Sequence, residues 1–66
     1  MCFVIVKFNT WAYNPVIDGR MPITTTGQSA FYWVPKVMVD DFITRAMDHD
    51  DVVQCTQYTY KRTYKK

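Results

Sequence analysis

Residues Cys2-Phe3-Val4-Ile5-Val6-Lys7-Phe8 are apolar at both alternating sets of positions. Side chains of a strand point to opposite faces in turn, so a run of this kind needs apolar neighbours on both sides. It reads as a strand inside a sheet, not at its edge. With only 66 residues, the chain makes one domain at the small end of what folds without metals or disulfides. Whatever else it forms must pack around this strand.

The strand can continue through Trp11 and Tyr13 until Asn14-Pro15, because proline cannot donate to a ladder. Asp18-Gly19 within Val16–Met21 carries the signal of a two-residue hairpin turn, and Pro15 and Pro22 bracket it. A short protruding hairpin or an ordered loop is expected there. Thr24-Thr25-Thr26 is β-prone, and Gly27-Gln28 offers the next turn. Ser29 to Val34, with Phe31-Tyr32-Trp33, is a second firm strand. Pro35 holds Val34 extended and suits the first turn of a helix.

Beyond Pro35, Val39, Phe42, Ile43, Ala46 and Met47 recur at the spacing of an amphipathic stripe. Asp40, Asp41, Thr44, Arg45 and Asp48 fall on the other side, with Asp41 and Arg45 spaced as an i,i+4 ion pair. Asp40 and Asp41 also lie early in the helix, where its dipole favours anions. Asp48-His49-Asp50-Asp51 ends it. A last strand is expected from Val52 to about Tyr60, with Val53 and Cys55 facing the helix. The four methionines read as gap-fillers and not as a binding surface. The fold class is α+β: a small antiparallel sheet of three or four strands, with one helix from about Pro35 to Asp48 on one face and residues 1–66 as a single domain.

Composition narrows the function. The chain is 48% hydrophobic and 21% charged with two glycines and three prolines, which suits a folded body and not disorder. Net charge is +2, but four of the eight cations lie in a basic tail at residues 61–66. All six acids are aspartate, five of them between Asp40 and Asp51. This is far from the dense basic charge of a dedicated nucleic-acid binder, and equally far from the acidic carpet of a DNA mimic. Cys2 to Val6 is too short for a signal peptide or membrane span and lacks a cationic lead-in. A cytoplasmic protein with free, buried thiols is expected, with no membrane role.

Enzyme chemistry finds no constellation. There is one histidine and no glutamate, Ser29 has no nucleophile-elbow motif around it, and two glycines cannot build a phosphate loop. Asp40 and Asp41 stand about 100° apart on a helix and do not converge. Asp48-His49-Asp50-Asp51 has oxygen and imidazole donors, yet adjacent residues cannot all reach one ion and calcium-loop spacing is lacking. It reads as a solvated turn. No metal or cofactor is expected.

The function-bearing stretch is Tyr58-Thr59-Tyr60-Lys61-Arg62-Thr63-Tyr64-Lys65-Lys66. Run as a strand, it projects Tyr58, Tyr60, Arg62 and Tyr64 from one face, with Lys61 beside them. Aromatics reach 17% of the chain, and a sheet with one helix has one inner face to fill. Some rings must lie outside, where clustered apolar area marks an interaction site. Trp33 shares a face with Phe31, opposite to Tyr32, and whichever set turns from the helix joins the row. Tyr, Trp and Arg dominate binding hot spots between proteins, so a protein partner is the leading expectation. Stacking on bases with Lys61, Arg62, Lys65 and Lys66 on phosphates is the alternative, as in single-stranded nucleic-acid binders. The plain reading is that the tyrosines close the sheet's outer face and the lysines solubilise a terminus. An edge strand there would also invite pairing with a second copy or with a partner strand.

No motif identifies a family. In build, with Phe3–Phe8, Ser29–Val34 and Val52–Tyr60 as strands and Val39–Met47 as the helix, the chain resembles the very small early or accessory proteins of bacteriophages that bind and inhibit a host enzyme or defence complex. That resemblance implies inhibition by occlusion and transfers no functional positions.

Overall fold

The computed structural model describes residues 2–13 and 15–66. The expectations for Met1 as a gap-filler and Asn14 as part of a strand break lie outside the described residues. Five strands form one antiparallel sheet, in the order β2-β3-β1-β4-β5. They are β1 (Cys2–Phe8), β2 (Thr24–Thr26), β3 (Ser29–Val34), β4 (Val52–Gln57) and β5 (Arg62–Lys65), with a 3-10 turn at Lys36–Met38 leading into α1 (Val39–Asp48). The fold is α+β as expected, but the sheet has five strands where three or four were expected. The extra strand arises because the terminal segment folds back on itself instead of running on.

β1 is central, antiparallel to β3 on one side and β4 on the other. This is the interior place its doubly apolar pattern demands. Its even positions Cys2, Val4, Val6 and Phe8 face the core with Ala30, Tyr32 and Val34 of β3. The helix lays Val39, Phe42, Ile43 and Ala46 over them, and Phe42 meets Tyr32 at 5.0 Å between ring centroids.

Two connections share this inner side. α1 joins β3 to β4, and residues 9–23 join β1 to β2; in both cases the joined strands are parallel, with one strand between them. Ala12 and Ile17 of the second connection are buried in the core beside the helix. β1 ends at Phe8 and does not continue to Trp11 and Tyr13, because the chain turns to bond elsewhere: Asn9 N–H donates to the Asp51 carbonyl (2.6 Å) and Ala12 N–H to that of Gly27 (2.9 Å). Asp18-Gly19 does form the predicted tight turn, with Ile17 and Arg20 exchanging both backbone bonds and φ positive at both central residues. The turn does not protrude, however. Ile17 is buried in the core, the Tyr32 hydroxyl donates to the Pro15 carbonyl (2.6 Å), and Asp18 pairs with Arg45 of α1 at 3.0 Å. Arg45 thus reaches across to the loop and not back to Asp41.

β4 carries an irregularity that the alternating pattern hides. Lys7 pairs with Gln54 but Phe8 with Val52, so Val53 is the extra residue of a bulge. Val52 and Cys55 are fully buried on the helix side in consequence, and Val53 is only half-buried. Asp48–Asp51 forms the helix-to-strand turn, closed by Val52 N–H on the His49 carbonyl (3.1 Å). Both cysteines are free and buried. No helix is long and apolar enough to cross a membrane among the described residues.

Candidate functional site

β4 ends at Gln57. Tyr58–Tyr60 then makes a 3-10 turn, and Lys61 takes a left-handed conformation at φ 54°. That reversal sends Arg62–Lys65 back along β4 as β5. The row of Tyr58, Tyr60, Arg62 and Tyr64 on one strand therefore does not exist. Left-handed geometry costs a β-carbon about 1–2 kcal/mol, and nothing in the identity of lysine announces it. Closing the Gln57/Arg62 ladder offsets that cost.

The row is divided between the two sides of the sheet. Residues directly opposite in an antiparallel pair share a face, so Arg62 opposite Gln57 and Tyr64 opposite Cys55 both lie on the helix side. Tyr64 is half-buried against the core edge, which is the packing role weighed above. Tyr60 and Arg62 line a cleft of about 250 Å³ with Lys36, Val39, Asp40 and Gln57, and Lys36 Nζ stands 5.9 Å from the Tyr60 ring centroid. Lys61 is exposed at the corner. Tyr58 alone belongs to the outer side.

On that outer side Tyr58 joins Trp33 and Phe31, whose shared face turns from the helix, and Phe3, which sequence reasoning did not select. Phe3 is the hub: its ring centroid is 5.1 Å from Trp33, 5.7 Å from Phe31 and 6.1 Å from Tyr58, the last edge-on. Phe3 N–H also donates to Thr59 Oγ1 at 3.1 Å, which ties the 3-10 turn to the strand beneath it. Trp33 and Tyr58 remain 48% and 60% exposed, enough free ring for a partner to cover. The signal for Phe3 was present in β1, whose odd positions are apolar too. An apolar pattern on both faces marks an interior strand and an aromatic surface alike, so the pattern by itself does not separate the two.

Register sorts the open face into rows. Trp33, Phe3 and Tyr58 form the aromatic end; Thr24, Phe31, Ile5, Thr56 and Thr63 cross the middle; Thr26, Ser29, Lys7, Gln54 and Lys65 form the far end. None of these residues is a carboxylate. All six aspartates lie in the Asp18 turn, on α1 or in the turn after it. The open face is thus free of aspartates and carries Lys7 and Lys65.

On the inner side, burial pushes the Cys55 thiol up to about 12 from its ordinary 9.0. Burial, and secondarily the charge of Cys55, also raises the Tyr32 phenol. Neither group is placed to react. Among the described residues no three His, Cys or Asp side chains are grouped to hold a metal ion. Comparison of the chain with protein-family models, curated proteins and solved structures finds no match.

Proposed function

We propose that this chain is a small non-enzymatic protein-binding module, inhibitory or regulatory in effect, that covers a partner's working surface with the open face of its sheet. One observation carries the reading: Phe3, Phe31, Trp33 and Tyr58 form an aromatic cluster on the side that neither α1 nor residues 9–23 cover. Aromatic anchors on rigid strands give large contact area at low entropic cost. Lys7 and Lys65, with no carboxylate nearby on the strands, favour a partner whose apolar patch has an acidic rim. A cytoplasmic setting accords with two buried free thiols. A host enzyme or defence complex is the kind of target that the bacteriophage-like build suggests.

The test compares partners recovered from lysate by the wild type, by Trp33→Ala/Tyr58→Ala and by Tyr60→Ala. Loss of a partner with the double variant and its retention with Tyr60→Ala supports the open face. Equal recovery by all three removes it.

A second reading has its own support. Two central strands presenting rings, with lysines and no acids on the same face, suit single-stranded nucleic acid, each stacked base contributing about 1–3 kcal/mol. The acidic helix, which would repel a phosphate backbone, lies on the far side of the sheet. Binding of a labelled oligonucleotide that falls steeply with salt identifies this alternative; no binding at low salt removes it.

A further inference from the structure

The cleft on the helix side is separate from the open face and is not used by the proposal above. Its residues come from three places: Lys36, Val39 and Asp40 from the start of the helical segment, Gln57 from the end of β4, and Tyr60 and Arg62 from the corner and β5. Lys36 and Arg62 supply two cations on one cleft. Among the described residues neither forms an ion pair, and nor does Asp40; the one salt bridge is that of Arg45 with Asp18. Gln57 is only 4% exposed, and its side chain makes one weak contact, Nε2 donating to Cys2 Sγ at 3.8 Å. Its carbonyl oxygen has no donor among the described residues. Gln57 lines the cleft, and its carbonyl oxygen is not sealed from solvent, so a ligand's N–H can take the place of water there.

These groups define a ligand. Two cations, one a guanidinium fork, call for a carboxylate. Two acceptors beside them, the Gln57 carbonyl and the Asp40 carboxylate, call for an N–H donor close to that carboxylate. Val39 and the Tyr60 ring call for an apolar group on the same unit. An α-carboxylate with an N–H on the adjoining carbon and a hydrophobic side chain meets all three requirements. The volume of about 250 Å³ lies just below the usual range for small-molecule sites and holds one residue, not several. Arg62 is also the first residue of the edge strand β5, whose outer backbone groups remain free to pair with the residues preceding the captured one.

We propose that this cleft binds the carboxyl terminus of a peptide chain ending in an apolar residue: Arg62 and Lys36 hold the carboxylate, and Gln57 and Asp40 take the terminal N–H. The test is a titration of the 15N-labelled protein with N-acetyl-Ala-Ala-Leu as the free acid, with its carboxamide, and with free leucine. The free acid is expected to give saturable shifts centred on Lys36, Gln57, Tyr60 and Arg62. The carboxamide should bind at least about ten-fold more weakly, because the negative charge that Arg62 and Lys36 hold is lost. Arg62→Gln and Lys36→Gln, both at exposed positions, should each weaken the acid by a similar factor and leave the carboxamide unchanged. Equal binding of acid and carboxamide, or no saturable shift into the millimolar range, overturns the proposal. Leucine binding as tightly as the peptide acid overturns the chain-terminus assignment in favour of a free amino acid. Because Trp33 and Tyr58 lie on the other face, their alanine variants should bind the peptide acid as the wild type does.

Discussion

Phe42 and Trp33 show how differently two aromatic residues serve the chain. Phe42 is wholly buried against Tyr32, so Phe42→Ala should cost about 3–5 kcal/mol, a large share of the roughly 5–15 kcal/mol of a small domain. Thermal or urea unfolding will register it. Trp33→Ala removes a half-exposed ring and should lower stability far less while weakening partner capture. Cys55 provides a pH test. Its folded value, about 12, lies above its ordinary 9.0. The stability linked to this thiol is therefore whole below pH 9 and is lost as pH climbs towards about 12. Urea midpoints of wild type and Cys55→Ala should converge with rising pH over that window; a constant gap would contradict the burial of the thiol. Disulfide-exchange reagents should label Cys2 and Cys55 only at the rate of unfolding.

At the scale of elements, the turns decide where side chains go. Gly19 sits at φ +73° with open space around it, so Gly19→Ala should destabilise by about 1 kcal/mol from backbone strain alone. Lys61 bears the same strain with a side chain attached, and Lys61→Gly should gain up to about 1 kcal/mol, reduced by the greater freedom of the unfolded chain. A loss of stability in that variant would mean that the corner is not left-handed in solution. The Asp18–Arg45 bridge links the loop to the helix, but Arg45 is 68% exposed. Arg45→Ala should then change stability by less than about 1 kcal/mol in chemical denaturation.

For the molecule as a whole, stability should be graded from the middle of the sheet outwards. β1, β3 and β4 lie inside the sheet, whereas β2 and β5 are its edges. Amide exchange should be slowest in β1 and in its neighbours β3 and β4, and faster in β2 and β5. Uniform protection would point to edges covered by a partner or a second copy. The same architecture keeps every aspartate off the open face, which carries Lys7, Lys65 and the rings of Phe3, Phe31, Trp33 and Tyr58. Oligonucleotides and proteins with acidic rims should both meet the open side first, and the salt dependence of binding will tell them apart.

Local pattern carried much of this. The doubly apolar Cys2–Phe8 required an interior strand, the stripe from Val39 to Met47 required a helix with one buried side, and Asp18-Gly19 required a tight turn. These follow from periodicity and backbone sterics, which act over a few residues. Register and return direction do not. The bulge at Val53 is visible only against β1, and the reversal at Lys61 only because β5 has a ladder to join. That reversal moved Arg62 and Tyr64 to the helix side and left Tyr58 with Phe3, Phe31 and Trp33. Which side of a strand a ring occupies depends on its parity relative to neighbouring strands. A single unusual backbone angle resets that parity, so the surfaces emerged only once the strands were paired.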